Sequence, residues 1–321
     1  MKAAQIVAPR RFDIVDIPTP DLSQAPPNSL LVRVGMTAIC GTDMPAFAYD
    51  LPSSSYPSPP GYSQHECIGI VVSSTSQRFR EGDEVLALPN KGDGLAEYFV
   101  AHENVTIPLT PYPRKECVLM AQPLGTVVWA LRKLGNLLNK DTVVVGQGPI
   151  GLMMTAMLSN LGARTIIALD ILDYRLAVSR TMRATHTINV SNTDPVEIVR
   201  EVTEGRMADL VVEVVGHQTE TINRCLDLVK RGGTILAFGV PDDEYYSIRF
   251  SEIFRQNVTL ICSVGPDVQN DFPLAMDFIT QGRIDVSPII SHIIPFTEAQ
   301  RGFEMSLTKE DGAIKVVFTY T

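Results

Sequence analysis

The chain has 321 residues and no run of 18 or more consecutive apolar side chains, so nothing in it predicts a transmembrane helix. Its start, Met1-Lys2-Ala3-Ala4-Gln5, runs into strand-like Ile6-Val7 and lacks the apolar core of a secretory leader. Basic residues are in the minority, with Lys+Arg 27 against Asp+Glu 36 and a net charge of −9. Phosphate backbones are recognised by clustered positive charge, so a nucleic-acid partner is not expected. Cysteines are few, scattered and odd in number (Cys40, Cys67, Cys117, Cys225, Cys262). That excludes a disulfide framework and points to a reducing cytoplasm. Internal repeats and low-complexity tracts are also missing. What remains is an ordinary globular composition, 45% apolar and 20% charged. The length is comfortable for two domains.

Residues 1 to about 120 read as short strands and turns. Leu30-Leu31-Val32-Arg33-Val34, Glu66 to Ser73, Glu84-Val85-Leu86-Ala87-Leu88 and Tyr98-Phe99-Val100 have strand length and strand composition. Gly and Pro punctuation between them suggests a small barrel or folded sheet. Leu51 to Ser63, rich in Pro and Ser, reads as a loop. Near residue 140 the texture changes. Apolar strands at Thr142 to Val145, Thr165 to Leu169, Thr187 to Asn189, Leu210 to Val215, Thr234 to Phe238 and Thr259 to Val264 now alternate with helical stretches. These helices start at Pro149, Asp173, Asp194 and Thr219. Nearly all-apolar strands alternating with helices predict a parallel sheet covered on both faces, in a doubly wound α/β (Rossmann) topology. After Gly265 come a helix near Phe272 to Thr280, a strand near Ile289 to Ile294, a helix from Thr297 and a last strand, Ile314 to Thr319.

Gly146-Gln147-Gly148-Pro149-Ile150-Gly151 matches G-x-G-x-x-G between a predicted strand and a predicted helix, the context that gives this pattern meaning. Gly146 permits the tight turn, Gly148 lets the backbone approach a pyrophosphate, and Gly151 allows close packing of helix on strand. The free N–H groups at the helix start suit phosphate. Asp170 ends the second strand, 24 positions after Gly146. A carboxylate there accepts from both ribose hydroxyls and repels a 2′-phosphate, which favours NAD over NADP. Arg175 reads as packing beside the adenine ribose, although it could also meet a 2′-phosphate.

A second constellation lies upstream: Cys40-Gly41-Thr42-Asp43, then His65-Glu66, then Gln122-Pro123-Leu124 just before the nucleotide fold. Gly82-Asp83-Glu84-Val85 and Gly232-Gly233-Thr234 complete the order of motifs. Across essentially its whole length the chain resembles the zinc-type medium-chain dehydrogenase/reductases, close to the sorbitol and threonine dehydrogenases. The resemblance implies a β-rich, GroES-like catalytic domain built from both chain ends, residues 1–121 and 266–321. Residues 122–265 would form the dinucleotide-binding domain. It further implies one catalytic Zn²⁺ on Cys40 and His65, with Glu66 either a ligand or lying behind the metal. A thiolate and an imidazole suit that ion, and an open position takes water or substrate. Thr42 would hydrogen-bond the substrate oxygen and pass its proton outward. Thr126, Val215, Gly216, Phe238 and Gly239 would join Gly146, Gly148, Pro149, Ile150, Gly151, Asp170 and Arg175 around the cofactor.

Several positions depart from the family pattern. Gln64 replaces the usual Gly before His-Glu, and Pro45 replaces a relay His. Gln122 stands where relatives carry Cys or Glu, as a weak ligand or a residue behind the metal. No cysteine lies between Val85 and Glu97, so no structural zinc is expected. Cys67, Cys117, Cys225 and Cys262 read as packing residues. His102, His186, His217 and His292 lack ligand-like spacing and read as surface or satisfied core residues, and Trp129 reads as the start of a helix and as core. The implied activity is NAD-dependent oxidation of a secondary alcohol (a polyol, sugar derivative or hydroxy-amino compound) to a ketone, or the reverse. The partner would be that small molecule, with no membrane, in a homodimer or homotetramer paired across Thr259 to Val264. Two other readings stay open: a metal-free quinone or enoyl reductase of the same superfamily, and a non-catalytic NAD-binding protein.

Overall fold

The structure, a computed structural model, describes residues 1–49, 52–216 and 220–320. The expected loop from Leu51, the helix from Thr219 and His217 therefore fall partly or wholly outside the described residues. Fifteen strands are described: β1 (Lys2–Ala8), β2 (Arg11–Asp16), β3 (Ser29–Ala38), β4 (Glu66–Ser74), β5 (Glu84–Ala87), β6 (Tyr98–His102), β7 (Thr106–Pro108), β8 (Asp141–Val145), β9 (Thr165–Asp170), β10 (His186–Asn189), β11 (Ala208–Glu213), β12 (Val229–Ala237), β13 (Thr259–Cys262), β14 (Ile290–Pro295) and β15 (Lys315–Thr319). The chain forms two compact units. One comprises Met1–Gly125, Asp267–Thr280 and Ile290–Thr321; the other comprises Thr126–Pro266 and Gln281–Ile289. Among the described residues no helix is long and apolar enough to cross a membrane.

The first unit is the β-rich, GroES-like one. β1 and β2 form a hairpin, and seven further strands form one sheet in the order β14-β15-β3-β4-β5-β7, with β6 also on β3. β3 is the hub because its alternating Leu30, Val32 and Val34 are buried while Arg33 stays in water. An aromatic core closes one side: the Phe12 and Phe303 rings lie 4.8 Å apart, and Phe12 and Phe47 stack at 5.4 Å. Such pairs add roughly 0.5–1.5 kcal/mol each beyond the area they bury. The pairing that matters for chemistry is β15-β3-β4. Val317 pairs with Ala38 on one side and Glu66 pairs with Ala38 on the other. The last strand of the chain thus joins β3 beside the start of β4.

The second unit is a six-stranded sheet, every pair parallel, in the order β10-β9-β8-β11-β12-β13. Val143, Ile167, Val211 and Ile235 are fully buried, as strands covered on both faces require. The order reverses between β8 and β11, the switch point beyond whose strand carboxyl ends sheets of this topology leave a crevice. Two expectations are corrected here. Cys262 is exposed, not packed, because β13 is the edge strand; a central and an edge parallel strand look alike in sequence. Trp129 is only half-buried and lies well inside the Ala121–Arg132 helix. Its Nε1 donates to Val264 O at 3.1 Å, and Lys133 Nζ donates to Cys262 O at 3.0 Å.

The amino ends of the same strands carry an ionic network. Asp141, 2% exposed, accepts from Thr165 Oγ1 at 2.7 Å and from both arms of Arg164, with Arg206 Nη2 3.6 Å away. Burial pushes its carboxyl up, but the Arg164 and Thr165 hydrogen bonds and the two guanidinium charges outweigh burial and hold it below the usual carboxylate range. A folded value below the unfolded one gives stability at neutral pH that disappears as the pH falls below about 4. Asp141→Asn is therefore expected to cost about 2 kcal/mol at pH 7. The gap between the two melting curves should close towards pH 3. A gap that is constant with pH would assign the network no electrostatic role.

Candidate active site

The first unit brings together three of the expected metal-type residues. β3 ends at Ala38, and Ile39 N donates to Val316 O at 3.0 Å. The chain then leaves the sheet at Cys40 and enters the Gly41–Asp43 turn. Because Ala38 pairs with Glu66, His65 lies just beyond the start of β4, next to Cys40. The ligand atoms of Cys40, His65 and Glu66 all lie within 4.8 Å of one another. Cys40 and His65 are half-buried and Glu66 is buried. Thr42 is exposed in the turn, and Pro45 lies in the first turn of the Met44–Ala48 helix. Gln122 is buried in the first turn of the Ala121–Arg132 helix, four positions before Thr126. Gln64 is fully buried, and neither atom of its amide has a hydrogen-bond partner among the described residues.

Two residues that sequence reasoning passed over complete this cluster. Asp43, 1% exposed, accepts from Cys40 N at 2.9 Å and Ser63 Oγ at 3.1 Å, and its Oδ1 lies 3.6 Å from His65 Nδ1. Burial pushes its carboxyl up to about 6, although the nearby His65 charge pulls it down. Burial would lower His65, but its hydrogen bond to Cys40 and the charges of Cys40, Asp43 and Glu66 push it up to about 10. A metal arriving on His65 therefore displaces a proton. Lys315 is the second. Its Nζ donates to Glu66 Oε1 at 2.6 Å and to Ile39 O at 2.8 Å. The other oxygen, Glu66 Oε2, is buried with no hydrogen-bond partner among the described residues. The signal for Lys315 was a lone charge inside the apolar run Ile314 to Phe318.

In the second unit the glycine-rich turn caps β8. Gly146 has φ +96°, Gly148 is extended just before the Pro149–Asn160 helix, and Pro149, Ile150 and Gly151 form its first turn. Gln147 anchors the turn from beneath: its Nε2 donates to Val144 O at 3.2 Å, and its Oε1 accepts from Ser179 Oγ at 2.9 Å and Thr155 Oγ1 at 3.1 Å. Asp170 Oδ2 accepts from Gln147 N at 2.7 Å, and Oδ1 accepts from Ile171 N and Leu172 N at 2.8 and 2.9 Å. Arg175 Nη1 stands 3.9 Å from Asp170 Oδ2. Asp170 thus holds the turn through both of its carboxylate oxygens. At the end of β11, Glu213 Oε1 accepts from Val215 N at 2.8 Å and Gly216 N at 3.0 Å. The Glu213 carbonyl accepts from Phe238 N and Gly239 N at 2.9 and 3.1 Å. Glu213, another residue passed over, gathers all four of those expected cofactor residues.

Comparison with known proteins agrees with this architecture. Residues 26–111 match the alcohol dehydrogenase GroES-like domain, and residues 149–281 match the zinc-binding dehydrogenase family. An alcohol dehydrogenase of Cupriavidus necator is 30% identical, with 98% of each chain covered. An L-threonine 3-dehydrogenase of Caldanaerobacter subterraneus is 29% identical over 93% of this chain and 94% of its own. The solved alcohol dehydrogenase TADH of Thermus sp. ATN1 superposes with TM-score 0.90 at 25% identity, with both chains fully covered. The chain belongs to the zinc-type alcohol dehydrogenases of the medium-chain dehydrogenase/reductase superfamily.

Proposed function

We propose that this protein oxidises a secondary alcohol to a ketone, or catalyses the reverse, using NAD and one zinc ion on Cys40, His65 and Glu66. The observation that carries the reading is the Cys40, His65 and Glu66 cluster, one ligand atom of each within 4.8 Å of the others, in which Glu66 also keeps a buried oxygen, Oε2, without a hydrogen-bond partner among the described residues. A thiolate, an imidazole and a carboxylate form a donor set that fits zinc. When bound, zinc supplies Lewis acidity, which lowers the pKa of an alcohol or polarises a carbonyl. The nicotinamide supplies the hydride acceptor. The remaining work falls to the chain itself. Asp43 fixes the Cys40 backbone and faces His65 Nδ1. The exposed Thr42 hydroxyl hydrogen-bonds the substrate oxygen and hands its proton to water. Asp170 disfavours a 2′-phosphate, which supports NAD over NADP.

Polyols, sugar derivatives and hydroxy-amino compounds are the substrate class, a reading supported by the threonine dehydrogenase relative. Two copies would pair across the β13 edge. A metal-free reductase is the second reading, favoured by the Lys315 ammonium, which already satisfies one Glu66 oxygen. Metal content separates the two. Protein purified without chelator should hold about one zinc per chain and reduce NAD with members of an alcohol and polyol panel. Protein that binds nicotinamide cofactor yet holds no metal would overturn the zinc reading in favour of the reductase.

A further inference from the structure

The ion pair behind the metal-type cluster is buried on both sides, with Lys315 2% and Glu66 1% exposed. The β15-β3-β4 register delivers it: Lys315 reaches past the end of β3 to a carboxylate on β4, 249 positions away in sequence. One Glu66 oxygen is taken by the ammonium and the other has no partner among the described residues. On the zinc reading, a single buried carboxylate therefore serves two cations. Cations that share one anion repel each other, and the repulsion is strong where water is excluded. Each one also satisfies the carboxylate in the absence of the other.

We propose that Lys315 is a positioning residue that competes with the metal for Glu66. It keeps the carboxylate in place and compensated before metal arrives. It then makes the bound metal more weakly held, and more electron-poor, than the same three ligands alone would leave it. The proposal rests on the zinc reading above. A purely structural ion pair makes the opposite forecast: its loss would leave metal affinity unchanged or would weaken it through disorder.

Titration of metal-free protein with Co²⁺, and with Zn²⁺ against a colorimetric chelator, tests this without any activity assay. Lys315→Met is expected to bind either ion about tenfold tighter than wild type or more. Lys315→Arg, which keeps the charge, should stay within about threefold of wild type. Thiolate-to-cobalt absorption should persist in both variants, because Cys40 is untouched. By linkage, saturating metal should raise the melting temperature of Lys315→Met by more than that of wild type. If metal-free Lys315→Met does not fold, chelator competition starting from loaded protein yields the same ratio. Unchanged or weaker affinity in Lys315→Met overturns the role of Lys315 alone. A wild-type protein that binds no cobalt through a thiolate overturns the zinc reading and this proposal with it.

Discussion

Replacing Cys40 with Ser, or His65 with Ala, is expected to abolish zinc retention and to lower alcohol oxidation by on the order of 10³-fold or more. The argument is chemical before it is geometric. A thiolate is an anionic, polarisable ligand, whereas a serine hydroxyl stays protonated near neutral pH and binds zinc poorly. Removing the imbalance of charge around His65 has a second effect. That ring is pushed up to about 10 by Cys40, Asp43 and Glu66 in the metal-free chain. Loss of the Cys40 charge should therefore let the imidazole titrate lower. Neither side chain belongs to the aromatic core around Phe47 and Phe303, and both are only half-buried. Stability should change by only about 1 kcal/mol. Metal analysis, a melting curve and turnover on one panel alcohol suffice as measurements. A Cys40→Ser protein with wild-type metal content and turnover would remove this cluster from the mechanism.

How much of this was legible in the sequence depended on distance along the chain. The glycine-rich turn could be read because its strand, turn and helix are consecutive, and all the pieces of the pattern lie within Thr142 to Asp170. The central parallel strands β8, β9 and β11 appeared as apolar runs because both their faces are buried. Cys40, His65 and Glu66 were named by residue type, but that Lys315 holds one Glu66 oxygen while the other is left without a partner among the described residues could not be read from type. Lys315 was invisible as a partner because only the pairing of β15 with β3 brings it there. Asp43 sat beside Thr42 in plain view, yet its burial under Ser63 depends on a turn that periodicity does not describe. Cys262 was misplaced for a different reason. An apolar strand read alone does not say whether it has a neighbour on both sides, and β13 has one only on the β12 side among the described residues.

Alanine at Gly148 and alanine at Gly151 should separate two effects that the motif combines. Gly148 has φ −68°, which alanine adopts freely, and an added Cβ would meet only Arg175 Nη1 at 3.9 Å, an ordinary contact. Gly148→Ala is therefore expected to fold and melt like wild type. The methyl would nonetheless occupy the space through which a pyrophosphate approaches the backbone, so NADH affinity should fall by about tenfold or more. Gly151 is different. A Cβ there would lie 1.9 Å from the Gly146 carbonyl oxygen, and backbone cannot yield as a side chain does. The turn or the helix must move by more than 1 Å to restore contact distance, roughly 3.2 Å or more for carbon against oxygen. That shift pulls Gln147 N away from Asp170 Oδ2, which it now meets at 2.7 Å, and disturbs the buried Gln147 side-chain bonds to Thr155 and Ser179. Gly151→Ala should lose about 2–3 kcal/mol of stability as well as cofactor affinity. NADH fluorescence titration and thermal melts of the cofactor-free variants read the two effects independently. Equal loss of stability in both variants would mean that Gly148 is there for the fold and not for a ligand, and the pyrophosphate would have to be placed elsewhere along the crevice.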